Sequence, residues 1–275
     1  MGPEDRGSDL PRPRGAPGAP TLTSTVSVEV AASPAEAATW AGRWIVDRLD
    51  SAVQNRGSAR LVLSGGRTPR RLFRWLGTQE SIDLDWSSVD VFWADERMVP
   101  PTDPLSNFRL AERTFLRIRE IPARRIHRIE GERPSDREAA LEYSERLGRC
   151  LGERRPGQRP AAAFDVVLLG VGRDGHTASL FPGSPQLTVR DRWAVAVDRP
   201  TEAPRVPRVS LTLRALTRAN AIAFVATGSE KRSAVRRCLG VAAGRGARPP
   251  AARIRGRLET KWFLDRAAAA GIQDT

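Results

Sequence analysis

Four times along this chain a short apolar run breaks off in a turn made of glycines or charges. "RLVL" runs into Ser64-Gly65-Gly66-Arg67-Thr68-Pro69, and "VDVFW" into Ala94-Asp95-Glu96-Arg97. "FDVVLL" runs into Gly170-Val171-Gly172-Arg173-Asp174-Gly175-His176, and "AIAFVA" into Thr227-Gly228-Ser229-Glu230-Lys231. Helical patterns lie between these runs, and that alternation restricts the fold severely. Strands joined through helices pair in parallel, because a parallel pair needs a crossover of a dozen or more residues. The expected class is α/β, a mostly parallel sheet with helices on both faces. In such sheets ligands bind outside the C-terminal ends of the strands, where all four turns fall.

The remaining signals fill in the order. "TVSVEV" alternates as a first strand, and Ser33, Pro34 and Glu36 then form a helix start with a capping box. Thr68 and Pro69 are expected to cap and open a second helix, and Ser106 a third. "RIHRI" reads as a short strand, residues 135–151 as a long amphipathic helix, and residues 152–162 as a loop. "WAVAV" and "RVSLTL" supply further strands, "SEKRSAVRRCL" a helix capped by Ser229, and "WFLDRAAAA" a final helix. No repeat or linker divides the chain, so residues 23–275 are expected to form one domain. Residues 1–22, rich in Pro, Gly and balanced charge, read as a disordered leader rather than a secretory signal.

Each turn carries chemistry. The Ser64–Pro69 turn lets backbone approach a ligand and aims free helix N–H groups at an anion; it lacks the lysine and spacing of a Walker loop. Lys231 and Arg208 could add cationic contacts to a phosphate. Gly170, Gly172 and Gly175 spell the G-x-G-x-x-G of a dinucleotide turn, and Asp198 stands where a ribose-binding acid would. Pro182 and Gly183 arrive too soon after His176 for the helix that such a turn requires, so the loop is read as presenting a catalytic imidazole. His127, inside its strand, is read as structural.

Composition excludes several classes. No apolar run reaches the roughly 18–20 residues that span a bilayer. Cys150 and Cys238 are the sole cysteines, which with two histidines make neither a disulfide framework nor a convincing zinc set and favour a cytoplasmic setting. The net charge of +13 is concentrated between Arg205 and Arg257, where thirteen basic residues meet one acid, Glu230. No aromatic platform accompanies that segment, which argues against nucleic acid as the main partner. Basic segments also suit phosphorylated metabolites.

Taken in order, "LVLSGGRTP", "VFWADERMVP" with "SNFRLA", "FDVVLLGVGRDGHTASLFPGSP", "RVSLTL", "GSEKR" and "WFLDRAAA" resemble the 6-phosphogluconolactonase family, from about Val26 to Ala270. The resemblance implies a Rossmann-like, sugar-phosphate isomerase-type (NagB-like) fold. It implies hydrolysis of 6-phospho-D-glucono-1,5-lactone to 6-phosphogluconate in the oxidative pentose phosphate pathway. No cofactor or metal is implied; the partner is the small sugar-phosphate lactone, and the chain is expected to be a monomer or weak homo-oligomer. By the same resemblance His176 activates water and protonates the departing ring oxygen. Asp95, Arg97 and Asp174 orient substrate or histidine, with Arg97 a candidate for the oxyanion. Ser64, Gly65, Gly66, Arg67 and Thr68, with Arg208 and Lys231, form the phosphate cradle. Arg67 departs from a small residue or lysine common in the family, and Ser210 from threonine. The alternative is a glucosamine-6-phosphate deaminase. That family carries a glutamate five residues after the histidine, where this chain has Phe181.

Overall fold

The computed structural model describes residues 24–80, 82–151, 162–198, 200, 203–241 and 247–272. The leader and nearly all of the 152–162 loop lie outside the described residues. Strand β1 (Thr25–Ala31) leads into α1 (Pro34–Arg56), followed by β2 (Ala59–Leu63), α2 (Arg67–Thr78) and β3 (Val89–Trp93). Then come β4 (Asp95–Arg97), α3 (Asn107–Ala111), β5 (Ile126–His127), α4 (Asp136–Leu151) and β6 (Phe164–Leu169). The C-terminal part contains β7 (Ala194–Val197), β8 (Arg208–Leu211), α5 (Leu213–Leu216), β9 (Ala219–Ala226), α6 (Arg232–Leu239), β10 (Glu259–Asp265) and α7 (Arg266–Ala269).

Local signals account for most boundaries. Ser33 Oγ accepts the Glu36 N–H at 3.2 Å, and Glu36 Oε2 reaches back to the Ala32 N–H at 2.7 Å, one residue short of a regular capping box. Gly57, at φ 72°, ends α1 in the left-handed cap. Ala37, Ala41, Trp44, Ile45 and Leu49 form the buried stripe of that helix. Two expected caps lie elsewhere. Gly66, at φ 114°, rather than Thr68, precedes the first helical residue, Arg67, so Pro69 falls inside the first turn, where its missing N–H costs nothing. Gly228, at φ 95°, rather than Ser229, opens the Ser229–Lys231 turn that leads into α6. In both places glycine turns the chain earlier than a side-chain cap would.

Seven strands, in the order β1-β10-β9-β6-β2-β3-β5, form a sheet whose neighbours are all parallel. Crossovers from β1 to β2 and from β2 to β3 run one way along the sheet; those from β5 to β6 and from β9 to β10 run back. Right-handed connections then put α1 and α2 on one face and α4 and α6 on the other. α1 does pack on α2. β2 and β6 are neighbours whose connections leave in opposite directions, so a crevice opens between the loops that follow them. β6 is buried along its whole length, as a strand covered on both faces must be.

Two elements differ from the sequence reading. "WFLD" belongs to β10, between β1 and β9, and the final helix is confined to Arg266–Ala269. Aromatic residues at successive positions suit a strand covered on both sides: Trp262 stacks on Phe224 at 4.2 Å, while Phe263 meets Trp44 of α1 edge-on at 5.8 Å. Asp265 ends the strand by capping α7, its carboxylate accepting the Ala268 N–H at 2.8 Å. The second difference is a small antiparallel sheet, β4-β8-β7, in which Asp95–Arg97 is a strand rather than a loop.

Candidate active site

All four turns line one cavity of about 570 Å³ at the C-terminal ends of the parallel strands. Ser64, Gly65, Gly66 and Thr68 supply one wall, Asp95, Arg97 and Arg208 another, Gly172, Arg173 and His176 a third, and Gly228 and Lys231 the last. Ten of the eleven residues singled out from sequence are described at this site, nine in the lining and Asp174 directly behind it. Arg67 opens α2, but its side chain lies outside the described residues. Asp198 is exposed and does not line the cavity.

The β6 loop delivers the imidazole. His176 Nδ1 lies 2.6 Å from Asp174 Oδ1, which also accepts the His176 backbone N–H at 3.0 Å. Burial pushes the Asp174 carboxyl up, but the hydrogen bonds from the His176 ring and backbone outweigh it and hold the group below the ordinary aspartate value. An ionised Asp174 fixes the proton on Nδ1 and leaves Nε2 as the basic nitrogen. The loop needs glycine at two positions. A Cβ on Gly172 would lie 2.1 Å from His176 Nδ1, and Gly175 sits at φ 91° against Pro249. Ala178, two residues beyond the histidine, holds a left-handed φ of 49°, a strain of about 1 kcal/mol kept in the cavity lining. No helix follows His176 directly; Thr177 and Leu180 close a tight bridge instead, which leaves no dipole for a pyrophosphate.

Phe181 packs against the imidazole at 4.7 Å and lies 5.5 Å beneath the Arg208 guanidinium. Strand pairing sets Arg97 directly opposite Arg208 and Asp95 opposite Ser210. Like charges facing across a strand pair are unfavourable by themselves, and an anion beside them reverses that sign. Buried Asp95 accepts the Ser179 hydroxyl at 2.7 Å and the Asn107 amide at 3.4 Å. Asp265 accepts the Gly228 N–H at 3.1 Å through each carboxylate oxygen, bracing the turn that carries Lys231. Asn107, Ser179 and Asp265 were not singled out from sequence. Ser179 and Asn107 lie within the family-like motifs, and Asp265 carries the signal of a helix cap. Their partners are set by tertiary pairing.

Among the described residues no three His, Cys, Asp or Glu side chains converge as a metal set. Both cysteines carry free thiols, and no described helix is long and apolar enough to cross a membrane. His127 is structural: its Nε2 lies 2.9 Å from Asp90, its ring stacks on Phe92 at 4.5 Å, and it does not line the cavity.

A sequence profile described as glucosamine-6-phosphate isomerases/6-phosphogluconolactonase matches residues 32–262. The 6-phosphogluconolactonase of Mycobacterium tuberculosis is 39% identical over 241 residues, covering 84% of this chain and 92% of that protein. The solved 6-phosphogluconolactonase of Trypanosoma brucei superposes with a TM-score of 0.79 at 28% identity, covering 91% of this chain and 100% of that one. A monomeric glucosamine-6-phosphate deaminase shares the fold, with a TM-score of 0.72 at 20% identity over 89% of this chain and 99% of that one.

Proposed function

The chain belongs to the family of glucosamine-6-phosphate isomerases and 6-phosphogluconolactonases, and from that premise we propose how its cavity works. The protein hydrolyses 6-phospho-D-glucono-1,5-lactone to 6-phosphogluconate, a step of the oxidative pentose phosphate pathway. The observation that carries the mechanism is the Asp174–His176 pair at the cavity wall. His176 Nε2 takes a proton from water as the water oxygen attacks C1 of the lactone. The carbonyl electron pair moves onto oxygen, and Arg97 stabilises that oxyanion. When the intermediate collapses, the bond from C1 to the ring oxygen breaks, and His176 returns its proton to that oxygen. Asp174 keeps the ring oriented and steadies the transient imidazolium.

The phosphate end rests on the opposite charge pattern. The Ser64–Thr68 turn at the start of α2 offers backbone N–H groups, while Arg208 and Lys231 offer positive side chains. Asp95 acts from behind, by holding Ser179 and Asn107. Phe181 favours hydrolysis over deamination, because an apolar ring stands beside the imidazole where the deamination chemistry calls for a carboxylate. Residues 23–275 acting as one catalytic domain, in the cytoplasm, complete the proposal. A single sheet drawn from Thr25 through Asp265 supports the first part, and two free thiols support the second.

The test is a lactonase assay on freshly generated 6-phosphogluconolactone, with the unphosphorylated lactone as control. The phosphorylated substrate should be strongly preferred, and His176→Ala should lower kcat by roughly 10²–10⁴-fold with the fold intact by circular dichroism. Near-normal turnover in that variant would remove His176 from the mechanism.

A further inference from the structure

We propose that Glu96 is a positioning residue for the lactonase reaction, holding Arg97 at the cavity by tying β4 to the first turn of α3. The proposal rests on the role given to Arg97 above and deepens it. Glu96 does not line the cavity and is almost completely buried. Its two oxygens are both fully engaged. Oε1 accepts the backbone N–H groups of Arg97 and Asn107, each at 2.7 Å. Oε2 accepts the Phe108 N–H at 2.7 Å and the Ser106 hydroxyl at 3.0 Å.

A helix cap alone does not explain this arrangement. Ser106 already caps α3 by accepting the Arg109 N–H at 3.1 Å. Glu96 adds a bond to the strand itself, so that one carboxylate spans β4 and α3. The other end of Arg97 is fastened to the same segment: its Nη1 donates to the Leu105 carbonyl at 2.6 Å. Arg97 is therefore held at its backbone by Glu96 and at its head by the Leu105 carbonyl, and Glu96, bonded to residues 106–108, fixes where that segment stands relative to the strand. Asn107, held by the same oxygen, donates its amide to the Asp95 carbonyl at 2.8 Å. One buried carboxyl group thus sets the geometry of a cavity cation and of the aspartate beside it.

Glutamine at this position is nearly isosteric, yet it replaces one acceptor with a donor. An amide NH2 in place of Oε1 faces the N–H groups of Arg97 and Asn107 and loses both bonds. In place of Oε2 it faces the Phe108 N–H, while the Ser106 hydroxyl can turn to accept from it, so at least one bond is lost either way. The experiment is a double-mutant cycle between Glu96→Gln and Arg97→Ala, with kcat and KM measured for all four proteins and folding checked by thermal melting. Glu96→Gln should lower kcat on the order of tenfold with KM nearly unchanged in the parent, and by less than about twofold when Arg97 is already alanine. A merely structural role would give the same loss in both backgrounds, and that result would overturn the proposal while leaving Arg97 in place. An Arg97→Ala enzyme with normal kcat would overturn both. If Glu96→Gln does not fold, Ser106→Ala, which removes one of the four donors, takes its place in the cycle: a loss confined to the Arg97 background supports the proposal, and an equal loss in both overturns it.

Discussion

At the residue scale the site turns on how close a backbone comes to an imidazole. Gly172 has no conformational need for glycine; it is required by space, since any Cβ would press on His176 Nδ1 and on Asp174 Oδ1. Gly172→Ala should therefore leave folding nearly unchanged while lowering kcat by at least roughly tenfold, because the ring must move away from its carboxylate partner. Kinetics combined with a thermal melt will check this, and a large fall in Tm with normal kcat would place the strain elsewhere. The sequence names both His176 and Asp174, but it leaves open which of Asp95, Arg97 and Asp174 meets the ring, and that is seen only in the folded turn. Asn107, Ser179 and Asp265 were not legible there, because each works through a group that only folding brings near. Nothing in the local pattern around Asn107 shows that a Cβ on Gly65 would collide with its amide.

At the element scale the parallel strands, the helix starts at Ser33 and Ser106 and the positions of the four turns were readable from apolar runs and capping residues. β4 was not, since three charged residues do not look like a strand until β8 pairs with them. β10 was concealed by its continuation into alanines; the aromatic pair and Asp265 were the overlooked marks of a strand ending in a cap. The β4–α3 junction also gives a pH prediction. Burial pushes the Glu96 carboxyl up to about 7, against the four hydrogen bonds that favour its ionised form. A carboxyl raised above its unfolded value of 4.5 binds protons more tightly in the folded state. Its contribution is then complete at acid pH and is lost as pH rises through about 7. The Tm difference between the parent protein and Glu96→Gln should shrink steadily across that window. A constant difference would mean that the group does not titrate there.

At the scale of the whole molecule, one sheet carries the core and aims its loops at one cavity, while the excess positive charge gathers in the C-terminal half. Trp262, on β10 beside the edge strand, is fully buried against Phe224. Trp262→Ala should cost about 3–5 kcal/mol, read as a lower denaturant midpoint with an unchanged slope. A changed slope would signal loss of two-state unfolding instead. The strand order has one more consequence. Thr25 bonds to Leu258, 233 residues further on, and β1 has no described partner in the sheet other than β10. During translation β1 leaves the ribosome long before residues 259–265 exist, so its ladder stays open through most of synthesis. The edge strand with Val26 and Val30 exposed is then the segment most open to mispairing with another nascent chain. Production of this protein should be limited by how long that strand waits, rather than by the stability of the finished fold.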